Sequence, residues 1–223
     1  MGEVAEHDVA SRRAQRRLRH QLLSREQLLD AAEEVFGRKG YHETTLKEVA
    51  ERAEFSVGSV YSFFDNKDDL FRQVFVRRGE DFMPELREVL RPDGGPPLDQ
   101  LHRLIDFQVR WFRQHRHFGR LYLRHTSVTA VSTDRDLDAG ITANYAEAMS
   151  LQAGLFRRGQ VDGLFRSGDP EVLARLFSGL MAAFQSLDPA VVSDADGPGE
   201  RYPVTELHDL VAAAFARSGA RDA

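Results

Sequence analysis

Thr45–Phe64 reads TLKEVAERAEFSVGSVYSFF, and its punctuation decides the fold. Thr45 with Glu48 three positions on is a reciprocal capping pair, hydroxyl to backbone N–H and carboxylate back to the cap. Leu46, Val49, Ala50 and Ala53 follow at i, i+3, i+4 and i+7, the apolar stripe of one short helix. The period breaks at Glu54-Phe55, and Ser56 caps a second helix carrying Val57, Val60, Tyr61 and Phe64. Two short helices across a tight turn are the helix-turn-helix layout. Downstream, Asn66 caps another helix, with Asp68 and Asp69 in the first turn, where the macrodipole favours negative charge. Upstream, Ser24 and Gln27 form a further box; Leu28, Ala31, Ala32, Val35 and Phe36 make one face, and Gly40 ends the helix.

Working outward, the pattern stays helical and strand-type alternation is missing at any useful length, so an all-α chain is expected. Residues 1–20 are polar and charged and read as a flexible basic arm that becomes helical near its end. Residues 21–67 form the three-helix domain with the motif at 45–64, and 68–223 a larger helical domain. Its helices are expected from Lys67 to the loop at Pro92–Pro97, from Leu98 to about His115, and over Phe118–His125. After a polar break at Ser132-Thr133-Asp134, others follow over about Leu137–Gln160, Asp169–Leu187 and, past a loop at Asp194–Gly199, Val204–Arg217.

Composition bounds the chemistry. The 223 residues have 42% hydrophobic and 29% charged content, the mix of a soluble globular protein. With no cysteine, disulfide scaffolds, thiol nucleophiles and thiolate metal sites are excluded, and a reducing, cytoplasmic setting is expected. No apolar run approaches the roughly 18 residues of a membrane span, and the basic N-terminus lacks the apolar segment of a secretory signal. Net charge is −5, with an uneven distribution: residues 11–20 hold Arg12, Arg13, Arg16, Arg17 and Arg19 and no acid. That cluster reads either as a solubilising tail or as an arm touching DNA phosphates or a minor groove.

A DNA-reading helix pair makes two demands. The first helix lays its N-terminal N–H groups and a hydroxyl against a phosphate, and Thr44 and Thr45 supply hydroxyls there. The second must be slim enough outward to enter the major groove. Val60 and Phe64 are spaced to face inward, leaving Val57, Gly58, Ser59, Tyr61 and Ser62 partly outward. On spacing alone any short helical hairpin would serve, with Tyr61 as plain core. The string LLDAAEEVFGRKGYHETTLKEVAERAEFSVGSVYSFFDNKDDLF, Leu28–Phe71, resembles the N-terminal domain of TetR/AcrR-type transcriptional regulators. Ala31-Ala32, Phe36, Gly40-Tyr41, Thr44-Thr45, Val49-Ala50, Ala53, Phe55-Ser56, Gly58–Tyr61, Phe64 and Lys67 stand in that family's order.

The resemblance implies operator contacts, mainly to phosphates, at Thr45, Ser56, Gly58, Ser59, Tyr61 and Lys67, with Tyr61 and Lys67 as backbone clamps and Val57 and Ser62 at base-reading positions. Two departures stand out: Glu54 occupies the turn where the family often has glycine, and Val57 replaces a frequent basic residue. The resemblance also implies a homodimer binding double-stranded operator DNA and a repressor released by a small apolar or amphipathic effector; no cofactor is expected, and no metal, since His115 and His117, two apart on a helix, do not face the same way. Leu173, Phe177, Leu180, Phe184, Leu210 and Ala214 are the expected dimer contacts. Phe107, Trp111, Tyr122, Tyr145 and Met149 are the expected effector contacts, an aromatic stripe that equally suits plain core. Other readings are a ligand-sensing module of the same fold without DNA binding and an all-helical enzyme. No glycine-rich phosphate loop, nucleophile elbow or H-E-x-x-H pair supports the last.

Overall fold

The computed structural model describes residues 2–125, 139–193 and 201–217, with side chains from Gln15 onward in the first helix and from Ile141 in the seventh. The expected break at Ser132–Asp134, the start at Leu137 and the loop at Asp194–Gly199 lie outside the described residues. Described elements are α1 (Gly2–Lys39), α2 (Leu46–Arg52), α3 (Val57–Tyr61), α4 (Lys67–Val89), α5 (Pro97–Gln114), α6 (Arg116–His125), α7 (Ala139–Val161), α8 (Pro170–Leu187), α9 (Pro189–Val192) and α10 (Val204–Phe215). Among the described residues the one β-type pairing is an isolated bridge between Phe165 and Ala216. The chain divides into two units, Met1–Val74 and Phe75–Ala223, so the division falls within α4 and not at its start.

The first unit corrects one expectation. The backbone is helical from Gly2, and Ser24, expected to cap, is buried inside α1. From Glu3 to Phe36 there is neither glycine nor proline, and the run is rich in Ala, Arg, Glu, Gln and Leu, the residues that lose least on entering a helix. A capping pair marks only where a helix can start, and nothing upstream stops this one. Gly40, at φ 85°, ends it as expected, its N–H donating to Phe36 O at 2.8 Å. The core of the unit brings together Leu28, Leu29, Ala32 and Phe36 of α1, Val49 and Ala50 of α2, Val60 of α3 and Leu70 and Val74 of α4. Phe36, Tyr41 and Phe71 close one end edge to face, with centroids 5.0–5.2 Å apart for the two pairs that involve Phe71.

In the second unit α7 and α8 pair closely, with α5, α6, α9 and α10 around them. Gly159 of α7 is required by close approach: a Cβ there would stand 2.1 Å from the Phe165 ring. Phe165, Phe177 and Phe215 surround Phe156 at 5.2–6.1 Å. A second aromatic group joins Phe82, Phe107, Trp111, Phe112 and Phe118. Asp188, almost fully buried, caps α9 through Ala190 N and takes the Arg113 guanidinium at 2.7 Å. A buried charge needs such a partner.

Candidate nucleic-acid interface

The turn between α2 and α3 is a Schellman closure. Glu54 N–H donates to Glu51 O at 3.2 Å and Phe55 N–H to Ala50 O at 2.9 Å, with Glu54 at φ 60° in the left-handed position. This aims the chain straight into Ser56, whose Oγ accepts from Ser59 N at 3.0 Å to start α3. Val60 and Phe64 are buried and anchor α3. Opposite them Val57, Gly58, Tyr61 and Ser62 are exposed, Tyr61 by 57%, so Tyr61 is not core. Ser59 is half-buried, its hydroxyl 2.8 Å from that of Ser56, and Ser62 Oγ donates to Ser59 O at 2.6 Å. The outer face of α3 is thus slim and hydroxyl-bearing, with one large side chain that keeps a phenol for other partners.

At α2 the structure departs from expectation. Thr44 is buried and its hydroxyl donates to Gly40 O at 2.7 Å; it ties the α1 terminus to the α2 entry and is not turned outward. Thr45 is exposed and completes the capping box, accepting from Glu48 N at 3.3 Å while its own N–H meets Glu48 Oε2 at 2.9 Å. A carboxylate therefore already sits at the α2 N-terminus, where a phosphate was expected. The Lys39 ammonium first, then the Thr45 N–H and hydroxyl, hold the Glu48 pKa down to about 2. Lys67, expected as a phosphate clamp, points its ammonium at Tyr41 O and Thr44 O, both at 3.0 Å, and His42 O at 3.4 Å, 4.4 Å above the Tyr41 ring. Three carbonyls of the 41–44 turn, which lies between α1 and α2, converge on it. The role of Lys67 was not legible locally, since its partners lie more than twenty positions away.

The remaining cations of residues 21–67 are engaged too. Glu34 takes Arg38 at 3.1 Å and Arg52 at 2.6 Å, and Glu51 takes Lys47 at 3.7 Å. Lys39 pairs with Glu48. Arg25 donates to Gln73 at 2.7 Å and lies over the Phe64 ring at 5.5 Å. Nothing in the sequence signals the Arg25–Phe64 contact, because no local pattern links positions so far apart.

Of the expected dimer contacts, Leu173 and Phe177 are buried within the chain, Phe177 against Phe156 and Phe215. They are core, because α7 and α10 pack on that side of α8. Leu180, Phe184 and Ala214 are half-buried, and Leu210 is exposed. The outward apolar stripe of α8 is instead Val172, Leu176 and Leu187, with Leu180 and the small Gly179 and Ala183 between them. Of the expected effector contacts, Phe107 and Trp111 are buried in the aromatic group around Phe82. Tyr122 joins its edge against Phe112 at 5.5 Å, while Tyr145 is half-buried and Met149 buried.

Comparison with known proteins agrees with this geometry. Residues 28–74 match the family model of bacterial regulatory proteins, tetR family. The chain is 44% identical over 48 residues to the uncharacterized HTH-type transcriptional regulator YfiR of Bacillus subtilis, a match spanning 22% of this chain and 23% of that one. It is 31% identical over 70 residues to the probable acrEF/envCD operon repressor of Escherichia coli K12, spanning 31% and 30%. The matches thus cover under a third of either relative. Over 84% of its length, and 95% of the other's, the chain superposes on the transcriptional regulator FadR of Bacillus subtilis in complex with stearoyl-CoA, with a TM-score of 0.64 and 19% identity, a likeness of fold. Over residues 28–74, the segment that builds the head and its capped α3, the chain is similar to the tetR family of bacterial regulatory proteins.

Proposed function

We propose that the chain is a sequence-specific DNA-binding transcriptional regulator, a homodimeric repressor released by a small apolar or amphipathic effector. The observation that carries the DNA reading is the split of α3, anchored by Val60 and Phe64 with Val57, Gly58, Tyr61 and Ser62 exposed opposite. An exposed helix with small side chains fits a major groove about 12 Å wide. Tyr61 offers a phenol to phosphate, Ser56 and Ser59 offer hydroxyls, and Val57 and Ser62 face base edges. In a two-fold dimer the paired α3 helices meet half-sites about 34–36 Å apart.

The outward stripe of α8, with Leu210 of α10, supports pairing of like faces under a two-fold axis. The repressor reading leans on a relative named a probable operon repressor, and the effector reading on a fold neighbour bound to stearoyl-CoA. Tyr122, Tyr145 and Met149 are the effector contacts proposed here. Because α4 is continuous from Lys67 to Val89, it contributes to both units and is the route by which an effector acts on the head. A preference of about 1–3 kcal/mol for the released state changes occupancy about 5–150-fold.

The test starts with a duplex selected by the protein itself from a random pool. Tyr61→Ala is expected to weaken binding about 10-fold or more, the scale of a single specific interaction with the duplex, with helicity unchanged. Binding indifferent to substitutions at Val57, Tyr61 and Ser62 would overturn the reading. Sedimentation of Leu176→Glu is expected to give a monomer where the parent is a dimer.

A further inference from the structure

Residues 15–23 are nine consecutive exposed positions of α1, a stretch of helix with no packed face. A helix that touches nothing is marginal in water, so contact with a partner would stabilise it. Between Asp8 and Glu26 the chain carries six arginines and no acid. Since the whole chain has net charge −5, the remainder carries −11. In the head every cation from Arg25 to Lys67 already has an internal partner. Arg16, Arg17 and Arg19 are exposed and meet no carboxylate among the described residues.

We infer that the basic N-terminal half of α1 is a second nucleic-acid contact, an arginine ridge that binds duplex phosphates without reading sequence. This rests on the DNA-binding reading above and extends it to a surface outside the helix-turn-helix. At 100° per residue, Arg16, Arg17 and Arg19 span an arc of about 160°. The ridge is joined to the reading head by Arg25, which lies over Phe64 just beyond α3. From Arg25 to Arg16 and Arg12 the helix rises about 14 and 20 Å, and duplex of that length carries on the order of ten phosphates. The exposed Leu18, Leu22 and Leu23 do not form an apolar face of their own, because Arg19 falls between Leu22 and Leu23 around the helix. That arrangement suits an array of phosphates and not the apolar layer of a membrane, whose surface helices segregate the two kinds of residue.

The experiment uses the full chain and a variant with Arg12, Arg13, Arg16, Arg17 and Arg19 changed to Gln, which keeps helix propensity and is checked by circular dichroism. Both are titrated from 50 to 200 mM salt against the selected duplex and an unrelated duplex of equal length. Removing one arginine–phosphate pairing lowers the salt slope by about 0.9. If the variant makes three fewer pairings per complex, the parent's affinity falls about 40-fold more than the variant's across that range, while the ratio of selected to unrelated binding stays the same. A variant with five Lys is expected to keep the parent slope; a Lys variant behaving like the Gln variant overturns the charge argument. Equal slopes for parent and Gln variant, with binding still dependent on Tyr61, overturn the ridge and leave the DNA reading standing. A parent that binds no duplex overturns both. An unchanged DNA slope with loss of binding to anionic phospholipid vesicles also overturns the ridge, and would reassign it to a membrane surface.

Discussion

Replacing Glu54 by glycine relieves the left-handed turn that sets the angle between α2 and α3. Glu54 is exposed, and among the described residues no other non-glycine side chain has a positive φ. A β-carbon in that conformation costs about 1–2 kcal/mol. Glycine also gives the unfolded chain extra freedom, worth about 0.4–1 kcal/mol in the opposite direction. The net expectation for Glu54→Gly is therefore a gain of about 0.5–1 kcal/mol, with both Schellman hydrogen bonds retained. For a chain of this length about 1 kcal/mol corresponds to 2–4 °C in Tm. Because the two units need not melt together, hydrogen exchange of the Phe55 and Val60 amides is the sharper assay. A gain of that size slows opening of the head about 2- to 5-fold. Two controls separate strain from charge: Glu54→Ala removes the carboxylate and keeps the strain, and Glu54→Asn tolerates the left-handed region. Exchange slowed equally by Ala and Gly, or accelerated by Gly, would refute the strain argument.

Three other expectations are open to measurement. Lys67→Met removes the ammonium held by Tyr41, His42 and Thr44 carbonyls and is expected to cost about 1–3 kcal/mol, seen as faster exchange in the 41–44 turn and in α2. Gly159→Ala drives a Cβ into the Phe165 ring at 2.1–2.7 Å, so Tm should fall by several degrees, overpacking costing about 1–3 kcal/mol; an unchanged Tm would contradict the packing of α7 against Phe165. Glu48 has its folded pKa lowered from the ordinary 4.5 to about 2, by Lys39 first and then Thr45. Its contribution is fully present above 4.5 and is lost as pH falls from there through 2. Acid titrations of parent and Glu48→Gln should therefore converge between pH 5 and 2 and run parallel above pH 5.

Much of the head is legible in the sequence because its signals are local. The Thr45–Glu48 box, the Ser56 cap, the Asn66 cap and the glycine stop at residue 40 all act within four residues, and each stands where its spacing puts it. Lys67 is misplaced by local spacing because its partners are distant, and Thr44 because a capping hydroxyl and one turned back to a helix end share the same spacing. Both read locally as groups for a phosphate, yet both are consumed in holding the 40–45 segment. Leu173 and Phe177 read as a dimer face because periodicity marks an apolar stripe without saying what covers it; both are buried, Phe177 against Phe156 of α7 and Phe215 of α10, while Val172 and Leu176, one position before each, stay exposed.

Taken alone, the amino-acid order determined that the chain is helical and where the short helices of the head begin and end. Backbone propensity and capping depend on neighbours a turn away, so they are written in the chain itself. Only the tertiary structure decided which hydroxyls and cations remain available to a partner and which leucines face outward. Those outcomes depend on which surfaces meet, and burial against a distant helix leaves no mark on local spacing.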